Sequence, residues 1–388
     1  MRLTTAGVPL GVTEAVVGRV CRVPVSEHER HARVLVRQFE HVARAEELWG
    51  YRCIITPSPS ELIECAQAVT RAPVIHTVRH DGHLRTDDIV VIQPSTGFVR
   101  TLFRPDSSNN SLFFTERCNS NCLMCSQPPK DRDDVEHQVR TNLELIELID
   151  PAPDYLGITG GEPTLIGDGL FTILATLRDK LAKTDVHMLT NGRLFAWKEF
   201  TRRLAAVGHP RLVLGIPLYS DDPTMHDYVV QAKQAFDQTV LGLHWLARCQ
   251  QQVEIRVVLH RLSIPRLPHL AAYIYRNFPF AAHIALMGLE PTGYTPRNRQ
   301  ELWIDPVDYQ DELEEAVETL SVRGMNVSLY NLQLCLLRPS LWKFARKSIS
   351  DWKNMFLPEC ERCSVVDECG GLFQSAERLH SAHIRALQ

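Results

Sequence analysis

The amino-acid sequence predicts an α/β fold, a partial (β/α)6 barrel between a β-rich N-terminal domain and a C-terminal extension. Three observations predict it. Short β-rich runs fill the first 108 residues, strand and helix patterns alternate from about residue 111, and a cysteine-containing tail follows. Alternating strands and helices form parallel sheets with right-handed crossovers. Folds of this kind place their chemistry on loops after the carboxyl ends of the strands.

The predicted barrel strands are short apolar runs separated by amphipathic stretches. The strands are residues 112–115, 155–159, 186–190, 212–218, 253–260 and 283–289. Apolar residues at helical spacing predict helices that include residues 143–149, 170–181, 197–206, 236–247 and 267–277. We therefore expect three domains, at residues 1–108, 109–300 and 301–388.

Composition is that of an ordinary globular protein. The chain has 388 residues and a formal net charge of −4, which argues against a surface that coats nucleic acid. No apolar run approaches the roughly 18 to 20 residues of a membrane span, and the N-terminus lacks the pattern of a signal peptide. We expect a cytoplasmic protein with neither a membrane nor a nucleic-acid partner. Eleven cysteines in such a chain indicate metal binding rather than disulfides.

Cys118, Cys122 and Cys125 form a C-x3-C-x2-C pattern directly after the first predicted barrel strand. Three thiolates on one loop can hold three irons of a [4Fe–4S] cube and leave the fourth iron open to a reactant. A zinc knuckle or a set of buried thiols is the alternative, although zinc sites usually have four ligands in two pairs. The pattern therefore predicts a catalytic iron–sulfur cluster.

Two further segments end predicted strands at the same edge of the sheet. Gly160 and Gly161 allow the backbone to approach a ligand closely, and Glu162 can accept a hydrogen bond from an ammonium group. A plain strand-to-helix turn is the alternative interpretation of this Gly-Gly-Glu-Pro segment. Asn191 ends the next strand, either in a ligand site or as a cap of the following turn.

Arg256 lies within an apolar predicted strand, where a charged guanidinium needs a partner. A ligand carboxylate could bind it through two parallel hydrogen bonds. Glu254, two residues earlier and therefore on the same strand face, is the alternative partner.

The tail carries a second group of cysteines, Cys335 followed by Cys360, Cys363 and Cys369. Four thiolates fully ligate a second [4Fe–4S] cluster, and four cysteines equally suit a closed zinc site. The remaining cysteines are interpreted as small buried hydrophobic residues; they are Cys21, Cys53, Cys65 and Cys249.

The cysteine loop, followed about 35 residues later by Gly-Gly-Glu-Pro, resembles the radical S-adenosylmethionine (SAM) superfamily. The resemblance implies that the open iron binds the amino and carboxylate groups of SAM, and that one electron cleaves SAM to a 5′-deoxyadenosyl radical. It implies catalytic roles for the loop cysteines. The SAM-binding residues that it implies are Met124 for adenine, Gly160, Gly161 and Glu162 for the amino group, and Arg256 for the carboxylate. Asn191 lies in a further segment common in the superfamily. Pro217 occupies the position where the superfamily usually has a serine that contacts the ribose, and Ser220 would take over that contact.

Four longer segments resemble one family, the His-Xaa-Ser system radical SAM maturases of C-type; they are residues 115–130, 216–221, 287–294 and 330–335. This resemblance implies a ribosomally synthesised precursor peptide with His-Xaa-Ser repeats as the substrate. It implies a crosslink as the product, with epimerisation and thioether formation as the alternatives. It also implies an auxiliary [4Fe–4S] cluster in the tail, a second related radical SAM protein, and an electron donor such as flavodoxin or ferredoxin.

Residues 1–108 would then recognise the peptide by adding it as a strand to a sheet edge, or act as a lid on the barrel. Two other functions stay open from the sequence. One is a radical SAM enzyme that acts on a small molecule or RNA. The other is a non-catalytic iron–sulfur or zinc partner protein.

Overall fold

The computed structural model of the protein describes residues 3–347, 355–377 and 379–388. Packing divides the chain into two units, Met1–Leu112 with His137–Asp154, and Phe113–Glu136 with Tyr155–Gln388. The first unit ends close to the predicted boundary at residue 108, whereas residues 301–388 pack within the second unit. Division into three independently folding domains stays a prediction.

The first unit is built on an eight-stranded mixed sheet with the strand order β1-β8-β7-β3-β4-β5-β6-β2. Its strands are β1 (Thr4–Ala6), β2 (Val8–Leu10), β3 (Val16–Cys21), β4 (Arg33–Val36), β5 (Cys53–Ile55), β6 (Val74–His76), β7 (Ile89–Ile92) and β8 (Phe98–Phe103). Its helices are α1 (Ala45–Leu48), α2 (Glu64–Thr70) and most of α3 (Val135–Leu148). Glu144 in α3 accepts a hydrogen bond from Arg52 at 3.1 Å, which ties α3 to this unit.

Both faces of this sheet are buried, as the alternation of side chains along the strands requires. In β4, Val34 and Val36 belong to one apolar cluster while Leu35 belongs to the other. In β5, Cys53 and Ile55 lie on the first side and Ile54 on the second. The interpretation of Cys53 as a buried hydrophobic residue is consistent with its exposure of 0 %.

The two edge strands of the sheet, β1 and β2, are separated in sequence by Gly7 alone. β1 pairs with β8 and β2 pairs with β6, both antiparallel. A Cβ atom at Gly7 would lie 2.4 Å from the carbonyl oxygen of His76, so this crossing requires glycine. Because one residue joins the two edges, the sheet curls toward closure and each edge strand offers only three residues to an added peptide strand. Peptide recognition by this unit stays a prediction.

A seven-stranded sheet has its strands in sequence order, from β9 to β15, and the strands β10 to β15 belong to the second unit. The strands are β9 (Asn110–Phe113), β10 (Tyr155–Thr159), β11 (Asp185–Leu189), β12 (Leu212–Pro217), β13 (Gln252–Leu259), β14 (His283–Gly288) and β15 (Val327–Tyr330). From β10 to β15 each strand pairs in parallel with the next. The predicted α/β class with a parallel sheet and a partial barrel is confirmed.

Helices follow the strands of this sheet, as parallel connections require. They are α4 (Asp168–Lys180), α5 (Lys198–Val207), α6 (Pro223–Val230), α7 (Ala235–Arg248), α8 (Leu267–Asn277), α9 (Arg299–Leu302) and α10 (Gln310–Ser321). In the described part of the chain, no helix is long and apolar enough to cross a bilayer.

The described residues after β15 include short 3-10 turns, and Leu336, Leu372, Ala376 and Ile384 form a small apolar cluster. An antiparallel bridge between Met355 and Leu372 closes the segment that carries the last three tail cysteines. The second cysteine group thus lies in irregular structure with a core of its own.

Candidate active site

The three loop cysteines line one cavity of about 300 Å³. The same cavity is lined by residues at or near the carboxyl ends of five strands, namely Thr159, Leu189, Pro217, Val258 and Gly288. This is the edge where parallel α/β folds place their chemistry. Of the residues predicted for the site, the structure brings the loop cysteines, Met124, Gly160, Gly161, Glu162, Asn191 and Arg256 to this cavity.

Backbone hydrogen bonds hold the cysteine loop on both sides. The N–H groups of Asn121 and Leu123 donate to the carbonyls of Val230 and Val229, at 3.0 and 2.9 Å. The N–H of Tyr294 donates to the Cys125 carbonyl at 2.9 Å. The loop is therefore fixed by the end of α6 and by the segment after β14.

The electrostatics of the three thiols favour a cationic ligand. Burial raises the pKa of Cys118 to about 11 and that of Cys122 to about 12, and burial also raises the pKa of Cys125. Without a metal these half-buried thiols stay protonated, and a cationic metal centre is what stabilises them as thiolates. This donor set fits an iron cluster held by three cysteines.

Gly160 and Gly161 approach the backbone of the cysteine loop. The N–H of Gly161 donates to the Thr115 carbonyl at 2.7 Å. A Cβ atom at Gly161 would lie 2.1 Å from the Arg117 carbonyl oxygen, and one at Gly160 would lie 2.7 Å from that of Thr115. The structure thus gives these glycines a packing reason that the sequence did not reveal. Contact of their backbone with SAM stays a prediction.

The Glu162 carboxylate is fully buried and joins the ends of β10 and β11. It accepts hydrogen bonds from the N–H and hydroxyl of Thr164, at 3.0 and 2.6 Å. It also accepts from the Thr190 hydroxyl at 2.6 Å and from the Asn191 N–H at 2.7 Å. This carboxylate therefore organises the cavity wall, and binding of the SAM amino group would be a second task for it.

The Asn191 side chain caps the turn after β11 and binds the cysteine loop. Its Oδ1 accepts from the N–H of Arg193 at 3.1 Å, and its Nδ2 donates to Asn119 Oδ1 at 2.5 Å.

Ser220 is placed differently. It is buried, its hydroxyl accepts from the Asp222 N–H at 3.1 Å, and it is not among the residues that line the cavity. The predicted contact of Ser220 with the ribose stays a prediction.

Arg256 faces the cavity and is paired with Glu254, the partner that the strand alternation offered as the alternative. Glu254 also accepts from His283 Nδ1 at 2.7 Å. Burial raises the pKa of the Glu254 carboxyl, but the hydrogen bond from His283 and the charges of Arg256 and His187 together lower it to about 2. Glu254 is therefore ionised, and the predicted role of Arg256 as a carboxylate ligand rests on its place in the cavity wall.

Tyr219, to which sequence reasoning assigned no role, lines the cavity beside Met124. Its ring stacks on His226 at 5.8 Å between centroids and packs against His260 at 6.2 Å. Burial raises the pKa of its hydroxyl well above the usual range, and the nearby cysteines raise it further by a smaller amount. The only sequence signal was an aromatic residue immediately after a strand end.

The four tail cysteines line a second, small cavity with Leu334, Phe356 and Ile384. Burial raises the pKa of both Cys335 and Cys360. Within residues 3–347, 355–377 and 379–388, no three His, Cys, Asp or Glu side chains are arranged to hold a single metal ion. The structure brings the four cysteines together, and the choice between iron–sulfur and zinc stays a prediction.

A comparison with protein-family models finds one family that matches part of the chain. The profile described as Radical SAM superfamily matches residues 112–274. No sequence among the curated proteins matches the chain.

Solved structures similar to the chain include SuiB of Streptococcus suis bound to S-adenosylmethionine, with a TM-score of 0.48 and 17% identity over 60% of this chain and 53% of that one. SuiB bound to its precursor peptide SuiA has a TM-score of 0.47 and 16% identity, and the match covers 59% of this chain and 49% of that one. A radical SAM methyltransferase from Sphaerobacter thermophilus has a TM-score of 0.43 and 14% identity, and the match covers 64% of this chain and 74% of that one. The chain thus spans about half the length of SuiB. On this match, residues 112–274 of the chain resemble the radical SAM superfamily, which supports an enzyme.

Proposed function

We propose that this protein is a radical SAM maturase that crosslinks a ribosomally synthesised precursor peptide with His-Xaa-Ser repeats. The observation that carries the catalytic part is the single cavity that gathers the loop cysteines, Gly160, Glu162 and Arg256. The substrate part is supported by the resemblance of residues 115–130, 216–221, 287–294 and 330–335 to the C-type maturases. A precursor-bound structure exists for SuiB, and a peptide substrate for this chain is our proposal.

Each cavity residue has a task in this proposal. Cys118, Cys122 and Cys125 hold a [4Fe–4S] cluster and leave one iron for SAM. Gly160 and Glu162 orient the SAM amino group and Arg256 its carboxylate. Once bound, the cluster and SAM would supply the radical chemistry for hydrogen abstraction from the substrate. The buried Met124 and Tyr219 in the wall exclude water from that step.

The tail cysteines would hold an auxiliary [4Fe–4S] cluster, which would supply an acceptor for the electron left after bond formation. Their shared cavity supports a common metal centre. The electron for SAM cleavage would come from a flavodoxin or ferredoxin, and a second related radical SAM protein would act on the same peptide.

The test is anaerobic reconstitution of the full chain, followed by incubation with SAM, dithionite and a synthetic peptide carrying His-Xaa-Ser repeats. We expect the peptide to lose two hydrogen atoms per crosslink, as read by mass spectrometry, and fragmentation to locate the bond. A matched peptide with the repeat histidines replaced by alanine should stay unchanged. Release of 5′-deoxyadenosine with both peptides unmodified would overturn the substrate assignment and leave a small molecule or RNA as the substrate.

A further inference from the structure

Two side chains from the turn after β11 bind the first residues of the cysteine loop. Asn191 donates to the side chain of Asn119, as described above. Arg193 Nη1 donates to the carbonyl of Asn119 and, at 3.1 Å, to the hydroxyl of Ser120. Both contacted residues lie between Cys118 and Cys122. Arg193 therefore reaches the part of the loop that sets the spacing of two of the proposed cluster ligands.

The turn that carries Arg193 is anchored on α7. Arg193 Nε donates to Gln238 Oε1 at 2.7 Å, and the Thr239 hydroxyl donates to the Asn191 carbonyl at 3.1 Å. A Cβ atom at Gly242 would lie 2.4 Å from the Gly192 carbonyl oxygen, so the turn packs directly on the helix. The guanidinium is thus held from one side by a helix while it holds the loop on the other.

The guanidinium is also a half-buried positive charge beside the cysteines. Charges interact more strongly in a partly dry site than in water. Arg193 therefore offsets negative charge on this side of the cavity.

We propose that Arg193 is a positioning residue that sets the geometry of the cysteine loop and raises the reduction potential of the cluster bound there. This inference rests on the proposed ligation by Cys118, Cys122 and Cys125. Reduction adds one electron, and so one negative charge, to the cluster. A fixed cation beside it stabilises the reduced form more than the oxidised form.

Two variants separate geometry from charge. Arg193→Gln keeps a planar hydrogen-bond donor and removes the charge. Arg193→Lys keeps the charge and removes the planar paired donors. Arg211→Met is the control, because Arg211 pairs with Asp185 at the amino ends of β11 and β12, opposite the cavity.

The readouts are iron content and the midpoint potential from an anaerobic dithionite titration followed by electron paramagnetic resonance. The relevant cluster is the one whose signal changes when SAM is added, because only an open iron can bind it. We expect a more negative potential for Arg193→Gln. For Arg193→Lys we expect a potential near that of the wild type and a lower iron content. Arg211→Met should match the wild type in both.

A wild-type potential in Arg193→Gln overturns the charge assignment, and a wild-type iron content in both Arg193 variants overturns the positioning role. If Arg193→Gln holds too little iron for a titration, a lowered potential in Arg193→Lys, which keeps the charge, overturns the charge assignment. A wild-type protein in which SAM changes no cluster signal would instead contradict the proposed function on which the inference rests.

Discussion

At the scale of single residues, the side chains around the cavity serve the fold and the proposed chemistry together. Glu162 shows this most clearly, because its carboxylate accepts four hydrogen bonds from the ends of two strands while it lines the cavity. Removing it should therefore affect both ligand binding and stability.

Glu162→Ala should weaken SAM binding and also lower the free energy of unfolding. Loss of a charge-assisted hydrogen bond costs roughly 1.5 to 3 kcal/mol, or about ten- to a hundred-fold in affinity. The N–H groups of Thr164 and Asn191 would lose their partner, at a further cost of about 1 to 3 kcal/mol each in stability. Equilibrium dialysis of SAM and chemical denaturation measure the two effects.

Thr190→Val is the matched control, since it removes one donor to the same carboxylate and leaves the carboxylate in place. It should lower stability by about 1 kcal/mol with little change in SAM affinity. A SAM dissociation constant in Glu162→Ala equal to that of Thr190→Val would show that Glu162 is only a structural residue.

Two buried histidines predict a loss of stability in mild acid. Burial lowers the pKa of His226 to about 4 and that of His260 to about 3. Both rings are neutral in the folded protein, while the unfolded chain binds their protons below about pH 6.5. The folded state is therefore destabilised as the pH falls, by about 2 kcal/mol per histidine between pH 7 and pH 5.

Chemical denaturation at pH 7 and pH 5 measures this slope. His260→Asn is the comparison variant, because its amide oxygen can replace Nδ1 as the acceptor for the Ser263 N–H. Its free energy of unfolding should fall less between pH 7 and pH 5 than that of the wild type, whatever the stability of the variant at pH 7. An unchanged slope would show that His260 is protonated in the folded protein.

At the scale of elements, the strands of the second unit could be predicted closely from sequence, and the segments that complete the cavity could not. β10 has the predicted bounds, and β12 and β14 each end one residue earlier than predicted. Their apolar runs are bounded by turn residues, which makes strands readable. The helix predicted from residue 143 begins eight residues earlier in the structure, as α3. Residues 135–142 are mostly polar and show no apolar stripe that would have predicted a helix.

Long-range contacts explain the rest of what the sequence could not show. The hydrogen bonds from Arg193 to Asn119 and Ser120 join residues more than seventy positions apart. No local pattern reports such a contact. The pairing of Arg256 with Glu254 was readable because both lie on one strand face, two residues apart.

The close approach of two loops predicts that Gly161→Ala disrupts the cluster site. Its Cβ atom would lie 2.1 Å from the Arg117 carbonyl oxygen, so the Gly-Gly turn and the cysteine loop must separate. We expect iron content to fall by about one cube and the melting temperature to drop. Gly82→Ala is the control, because a Cβ atom at Gly82 would meet no other atom within 4 Å. Equal iron content in the two variants would contradict this account of the glycine.

At the scale of the whole molecule, the two cysteine groups occupy separate cavities of the second unit. One cavity lies at the strand ends and the other in the irregular tail. Because they share no cysteine, the two metal centres should load independently. The described residues of the first unit form apolar cores of their own.

The triple variant Cys118→Ala, Cys122→Ala, Cys125→Ala tests this independence and the identity of the tail metal. It should retain about four irons and four sulfides per chain, the content of one fully ligated cube. Metal analysis and sulfide determination measure this. One zinc and no iron would make the tail a structural zinc site, and the electron-accepting role would be withdrawn. Loss of a tail ligand should destabilise the tail, because metal binding there contributes to folding.

The central claim is that the loop cysteines hold a cluster that cleaves SAM, and release of 5′-deoxyadenosine tests it most directly. The anaerobically reconstituted wild-type chain, given SAM and dithionite, should release 5′-deoxyadenosine. Cys118→Ala, Cys122→Ala and Cys125→Ala should each abolish the release, while Cys249→Ala, outside both cysteine groups, should release it at the wild-type rate. Wild-type release from any of the three loop variants would contradict the account.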